Sequence, residues 1–559
     1  MAPRGSGVGA SRGAVSGALE RFWPYGLLLL ATAPNLAWVL TDRTVWPWDQ
    51  AWYAQVSVDL YHTLRTSPSL WLVGMVSAFG IKAPGLAWLG QFVVPVGELT
   101  GSTNVALLLF VVLTDYLVLV VIYKAIVLLS EGRRGSALAV GLLAASAPMF
   151  VAMAHQYLVE PLQTLSVAWF VLIMAAAPRW SPPLVMVNLV GAASLGMLAK
   201  ATAPAYCVGP GLVALVVAGA SARRHAVTWG CVAAVIRRHA LLVALSAVML
   251  FGALKWYTQN WAQVVYFVTY ASSGSAADLY GTRDTLANKL GYWLGAAQRS
   301  FVLPAILAVL GVGLVAAALL CGLRSARRSG DGASRYFGVC AAVSAIQIAA
   351  IVVSFALQVN QENRYLLPLL PLGAVVVAWS LAQIRTIWAE GAVDLLGLAQ
   401  LGIVSEQALG MAPPRADVSY WVIPVQTNPA GADRVRDVVR DTCGVDADNH
   451  YTIVGVELPW FNANSLAYVA SRDFGGQGLH CYYTSLGYAE GDADRAWDRL
   501  HSLRPRYFVT VRLDQPVPGT EALNQVSDDI LRRVATGGEF QDDPVASHAD
   551  VELFRAVGP

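Results

Sequence analysis

Charge is scarce in this chain. Only 13% of its 559 residues are Asp, Glu, Lys or Arg, while 56% are apolar. A soluble globular protein carries roughly twice that charged fraction, so a wholly soluble chain is excluded. The net charge is +2 and no long basic run occurs, which removes nucleic acid as a partner. Cysteine is sparse too, at six residues. No CxxC or Cys/His spacing points to structural zinc. Cys207, Cys231, Cys321 and Cys340 lie in or beside apolar runs and read as small buried hydrophobes. Nothing at the N-terminus reads as a cleaved leader either. The run from Trp23 to Leu40 is too long for a signal core and no small-residue cleavage site follows it, so it reads as a retained first span.

What is present is a series of apolar runs near the length of about 20 residues that a bilayer requires. They fall at 23–41, 104–130, 136–153, 160–177, 183–199, 202–221, 240–257, 301–321, 336–358 and 364–384. A weaker run at 391–411, interrupted by Asp394 and Glu406, brings the expected number to about eleven.

Arginine orients these spans. With residues 1–22 as a cytoplasmic tail, the inner segments hold Arg4, Arg12, Arg21, Arg133, Arg134, Arg179, Arg223, Arg224, Arg237, Arg238, Arg324, Arg327, Arg328, Arg335 and Arg385. The loops 42–103 and 258–300 hold few cations for their length. Short basic loops stay inside, so both long loops are expected outside. The first is rich in Trp and has apolar stretches too short to span, which suggests helices lying in the membrane interface.

After residue 411 the pattern changes. Helix-like stretches at 433–443, 492–503 and 521–534 alternate with strand-like ones at 451–456, 481–485, 507–513 and 551–554. Residues 412–559 therefore read as a small soluble α/β domain behind a transmembrane domain at 23–411. If 391–411 spans, this domain lies outside and Cys443 can pair with Cys481; if it does not, the thiols are free.

Five charges sit where spans meet the outer face: Asp49, Lys82, Glu160, Lys200 and Arg364. Such charges are costly at a membrane and invite a functional reading. Two carboxylates and three cations together can deprotonate a hydroxyl and hold a phosphate, a division of labour that suits group transfer from a phosphate-linked donor.

The motifs around these residues are similar to those of the polyprenyl-phosphate-dependent glycosyltransferases of the GT-C fold. That superfamily includes protein O-mannosyltransferases and lipid A aminoarabinose transferases. Asp49 with Tyr53 resembles the family's acidic motif in the first outer loop. Lys82-Ala-Pro-Gly-Leu86 resembles its Lys-Pro-Pro-Leu element, and Glu160-Pro161 its second acidic position. Leu198-Ala-Lys200 resembles its Leu-Thr-Lys, and Arg364-Tyr-Leu-Leu-Pro368 its Arg-Tyr-x-x-Pro. The resemblance runs in order through residues 20–385.

It implies a polytopic α-helical membrane enzyme transferring a sugar, hexosyl or pentosyl, from a polyprenyl phosphate to an extracytoplasmic acceptor: cell-wall glycan, lipid or protein. Asp49 would be the base of an inverting displacement, and Glu160 would orient the acceptor, the base or an ion. Lys82, Lys200 and Arg364, with Tyr365 beside them, would bind the lipid phosphate. Tyr53, His155 and Arg283 are candidate substrate contacts. Two departures stand out: Gln50 follows Asp49 where O-mannosyltransferases have a second acid, and Ile81 precedes Lys82 where aminoarabinose transferases have an acidic metal ligand. No metal ligand and no cofactor are therefore carried over, although a divalent cation beside the two acids stays open. A transporter or lipid flippase is the alternative, for which Asp115 and Lys124 inside the second span speak most; a non-catalytic scaffold is the third reading.

Overall fold

The computed structural model describes residues 22–224, 227–312, 332–384, 387–416, 418, 421–443, 450–477, 481–487, 489–512, 517–543 and 550–557. Arg4, Arg12, Arg21, Cys321, Arg324, Arg327, Arg328, Arg385 and the later part of the expected span 301–321 lie outside these residues.

Among the described residues, eight helices are long and apolar enough to cross a membrane, or up to ten if each of two bent pairs is one span. The bends fall at Arg134–Ala145 with Pro148–Ala154, at 65°, and at Leu286–Phe301 with Pro304–Val312, at 95°. Both second helices open on proline, which cannot donate to the preceding turn. The helix Glu160–Ala176 has 17 residues, short of a full span, so length and composition do not establish the expected eleven. The doubtful last run is a 22-residue apolar helix, Ile387–Ala408. One expected boundary moves. The helix Ala240–Ser272 continues 15 residues past 257 and is gripped around that point: Trp256 Nε1 donates to Ala78 O at 3.0 Å, Tyr257 to Met197 O at 2.9 Å, and Asn260 to Val76 O at 3.1 Å. The start of the loop 258–300 is therefore helical.

The segment 42–103 holds four helices, Trp48–Thr66, Pro68–Ser77, Gly85–Gly90 and Val94–Thr100. Two of its aromatic residues, Trp46 and Tyr53, are buried within the protein. Glycine is needed at two close approaches. A Cβ on Gly85 would lie 2.6 Å from Leu198 O, and one on Gly90 1.8 Å from the Tyr157 hydroxyl. Tyr157 is itself buried and shares a hydrogen bond of 2.9 Å with Ser57.

Among the described residues the C-terminal region forms a five-stranded sheet in the order β2-β1-β3-β5-β4. Its strands are β1 (His450–Val454), β2 (Cys481–Ser485), β3 (Tyr507–Val511), β4 (Phe540–Asp542) and β5 (Val551–Ala556). β1 runs parallel to β2 and β3, whereas β5 runs antiparallel to β3 and β4. Side chains alternate across the sheet: Val454, Tyr507 and Val509 join one apolar core, and Ile453 and Phe508 the other. A helix (Ala463–Phe474) and a three-residue strand (β4) appear where the sequence suggested none. Cys443 and Cys481 form a disulfide that ties the helix Ala430–Cys443 to β2. Cys207 and Cys340 are buried, but Cys231 is exposed at the start of the short basic helix Trp229–Arg238, contrary to expectation.

Candidate active site

The five charges of the sequence reading converge on one cluster. Asp49 occupies the first turn of Trp48–Thr66 and Glu160 the first turn of Glu160–Ala176. Carboxylates are stabilised there by the helix dipole and the free backbone N–H groups. Lys82 lies in the turn before Gly85, Lys200 caps the end of Pro182–Ala199, and Arg364 opens the 3-10 segment Asn363–Leu369. Four helix ends and the turn holding Lys82 thus deliver side chains to one point.

Each cation already has a carboxylate partner. Lys82 Nζ pairs with Asp49 Oδ1. Lys200 Nζ donates to Glu160 Oε1 at 2.8 Å. Arg364 reaches three acids: Nη2 is 3.3 Å from Asp49 Oδ2, and Nε is 3.5 Å from Glu160 Oε1 and 2.9 Å from Glu362 Oε2. Three cations are thus held by three carboxylates. Glu362 was missed in the sequence; its only signal was a carboxylate two places before an arginine.

Exposure separates the acids. Glu160 has 1% of its side-chain surface exposed and Asp49 has 32%. Asp49 is thus open to solvent, whereas Glu160 is closed off, with Oε1 beside Lys200 and Arg364 and Oε2 without a hydrogen-bond partner among the described residues. Desolvation alone would raise the Asp49 carboxyl, but Lys82 and Arg364 override it and hold it well below the usual carboxylate range. In this state Asp49 is ionised and a weak base.

Aromatic rings line the cations. Lys82 Nζ lies 4.9 Å from the centre of the Trp52 ring and 5.9 Å from that of Tyr53, while Lys200 Nζ lies 3.8 Å from the centre of Tyr365. Such rings hold a cation without neutralising it. Tyr365 is fixed in turn by Tyr206, whose hydroxyl donates to Tyr365 O at 2.7 Å. Burial and the Asp49 charge push the Tyr280 hydroxyl up, and Tyr280 O accepts from Gln361 N at 2.8 Å. The loop containing Tyr280 is thereby pinned beside Arg364.

Two expected contacts are not brought into the cluster. Arg283 is exposed and held by Asp278 at 2.9 and 3.0 Å. His155 is buried and stacks on Trp38 with ring centres 4.1 Å apart; burial pulls its imidazole down to about 3, which makes it a neutral packing group. Among the described residues no group of three or more His, Cys, Asp or Glu is placed to hold a metal ion. Asp49 Oδ2 and Glu160 Oε1 lie 3.3 and 3.5 Å from Arg364.

This helical membrane body, with its carboxyl-terminal sheet, resembles known architectures. ArnT from Cupriavidus metallidurans in the apo state superposes with a TM-score of 0.55 at 17% identity, covering 98% of this chain and 100% of that one. The chain has the GT-C fold. ArnT bound to undecaprenyl phosphate matches equally, with a TM-score of 0.55 at 17% identity over 96% of this chain and 99% of that one. The archaeal oligosaccharyltransferase AglB from Archaeoglobus fulgidus, in complex with an inhibitory peptide and a dolichol-phosphate, gives 0.52 at 13% identity. That match covers 95% of this chain and 74% of AglB. No family model matches the sequence, and no curated protein does. The fold is that of a multi-pass membrane protein.

Proposed function

We propose that this GT-C protein is a glycosyltransferase that moves a sugar from a polyprenyl-phosphate donor to an extracytoplasmic acceptor. The observation that carries the reading is the reachable carboxylate of Asp49 set among three cations that are neutralised in the resting state. A donor phosphate exchanges for the carboxylates on those cations. As it draws Lys82 and Arg364 away, Asp49 loses the charges that depress it and becomes a competent base. The acceptor hydroxyl then attacks the anomeric carbon from the face opposite the phosphate, giving up its proton to Asp49. The bond from that carbon to the phosphate oxygen breaks and the polyprenyl phosphate leaves with the electron pair. Its added negative charge meets Lys82, Lys200 and Arg364, which stabilise the transition state more than the ground state. The polyprenyl phosphates bound by ArnT and AglB support this donor class. The arginine distribution and the Cys443–Cys481 disulfide support a cytoplasmic N-terminus, with site and C-terminal domain outside.

The test uses purified protein in liposomes with a polyprenyl-phosphate sugar and a panel of glycan, lipid and peptide acceptors. Asp49→Asn is expected to lose about 10²–10⁴-fold in transfer while still binding donor. Undiminished transfer by Asp49→Asn would sink the assignment. One observation favours a second reading, transport. Asp115 is fully buried within Thr103–Leu129 and neither carboxyl oxygen has a hydrogen-bond partner. Movement of labelled lipid across the same liposomes, lost in Asp115→Asn and independent of acceptor, would establish it.

A further inference from the structure

Asp49 is preceded by a strained residue. Trp48 has φ of 29°, a left-handed conformation that a bulky side chain adopts only when its surroundings over-determine it. What holds it comes from the far end of the chain. Trp48 Nε1 donates to Glu457 Oε2 at 2.9 Å.

Glu457 follows β1 and has little freedom of its own. Its backbone N–H donates to Asn524 Oδ1 at 2.7 Å, and its carbonyl accepts from Asn524 Nδ2 at 3.0 Å. A second grip lies next to it. Ser465 Oγ donates to Trp46 O at 2.7 Å, and Tyr468 stacks on the Trp46 ring with centres 5.4 Å apart. The C-terminal domain thus takes hold of the three residues before Asp49 at both ends.

We infer that Glu457 is a positioning residue for Asp49: through the Trp48 indole it keeps the start of the Trp48–Thr66 helix in the strained turn that aims Asp49 at the cations. The C-terminal domain is therefore part of the transfer machinery, and its sheet is a brace for the base. This rests on Asp49 being the base. The chemistry agrees, because burial pushes the Glu457 carboxyl up to about 7, so near neutrality it exists in both forms, and either form presents an acceptor oxygen to the indole. A glutamine can do the same and an alanine cannot.

The experiment compares Glu457→Ala, Glu457→Gln, Trp48→Phe and the Ala/Phe double variant of the full chain. It measures kcat and KM for transfer and, separately, binding of unglycosylated polyprenyl phosphate. Displacing a catalytic group by about 1 Å costs on the order of 100-fold. Glu457→Ala and Trp48→Phe are each expected to lose about 10- to 100-fold in kcat, with KM and phosphate binding within about twofold of the parent. Glu457→Gln should recover most of the loss, and the double variant should be no worse than either single one. The inference is overturned if Glu457→Ala turns over normally, if the two losses multiply, or if phosphate binding falls in parallel with kcat, which would mark general misfolding. Asp49→Asn runs alongside. If it retains transfer, the base assignment itself has failed; if it is inactive while Glu457→Ala is normal, only the positioning role has failed.

Discussion

Replacing Lys82 by methionine keeps the aliphatic length of the side chain and removes its charge, so it isolates the exchange between carboxylate and phosphate. In the resting site Asp49 has two cationic neighbours, Lys82 on Oδ1 and Arg364 at 3.3 Å from Oδ2. Unit charges about 3 Å apart at an effective dielectric constant of about 20 attract by about 5 kcal/mol. Arg364 remains in the variant and a third of the Asp49 surface meets solvent, so about half of that is a reasonable loss. At about 1.4 kcal/mol per pKa unit, the Asp49 carboxyl should rise by about two units. The assay is the pH dependence of transfer, because kcat/KM reports the free enzyme and kcat the donor complex. In the parent, the acid limb of kcat should lie above that of kcat/KM, since bound phosphate has drawn Lys82 from Asp49. In Lys82→Met the kcat/KM limb should climb by about two units and close most of the gap. Polyprenyl-phosphate affinity should fall about 10- to 100-fold, the loss of one charged contact worth about 1.5–3 kcal/mol. Coincident limbs in the parent, or an unchanged limb and unchanged affinity in the variant, would refute the exchange.

Other predictions concern the frame around the site. Gly85→Ala places a Cβ 2.6 Å from the backbone oxygen of Leu198, two residues from Lys200. It should cost about 1–3 kcal/mol of stability, read as a lowered melting temperature together with weakened phosphate binding. A parent-like melt would show that this approach can relax. Cys443→Ser opens a bridge spanning 38 residues and should cost the C-terminal domain about 2–4 kcal/mol, seen as earlier proteolysis there. Reductant should destabilise the parent and leave the variant unaffected. Glu457 binds its proton more tightly folded, at about 7, than in its ordinary environment, at 4.5. Its contribution is therefore greatest below 4.5 and declines as pH rises through 7, by at most about 3 kcal/mol. Glu457→Gln should flatten that part of the stability profile, and a profile still sloping equally would place its origin in another group.

Much of the architecture could be read from local sequence because the bilayer imposes a local rule. Every backbone polar group at membrane depth must be satisfied within its own segment, so spans announce themselves as apolar runs of helical length. The strands His450–Val454, Cys481–Ser485, Tyr507–Val511 and Val551–Ala556 fall on expected segments for a similar reason, since alternation is local. The helix Ala463–Phe474 escaped notice although its ends are satisfied locally, Asn462 Oδ1 accepting from Ser465 N at 3.0 Å and Arg472 pairing with Asp473 at 2.7 Å; further contacts of its side chains are distant. Arg472, for one, donates to Asn104 at 3.4 Å.

The candidate site was legible as a set of residues but not as a set of pairs. Sequence alone determined that this is a multi-pass membrane protein and singled out Asp49, Lys82, Glu160, Lys200 and Arg364. It did so because charge at a membrane is expensive and therefore conspicuous. Tertiary structure decided which charges neutralise one another, that Glu362 joins them, that Arg283 and His155 stay out, and that Glu457 reaches back 409 residues to Trp48. Ion pairs and hydrogen bonds act over a few ångströms of space and leave no periodic mark on the chain. Only the packing of the helices and the docking of the sheet bring such residues within that range. Asp49 was conspicuous in the sequence; its restraint by Lys82 and Arg364, and its support by Glu457, exist only in the fold.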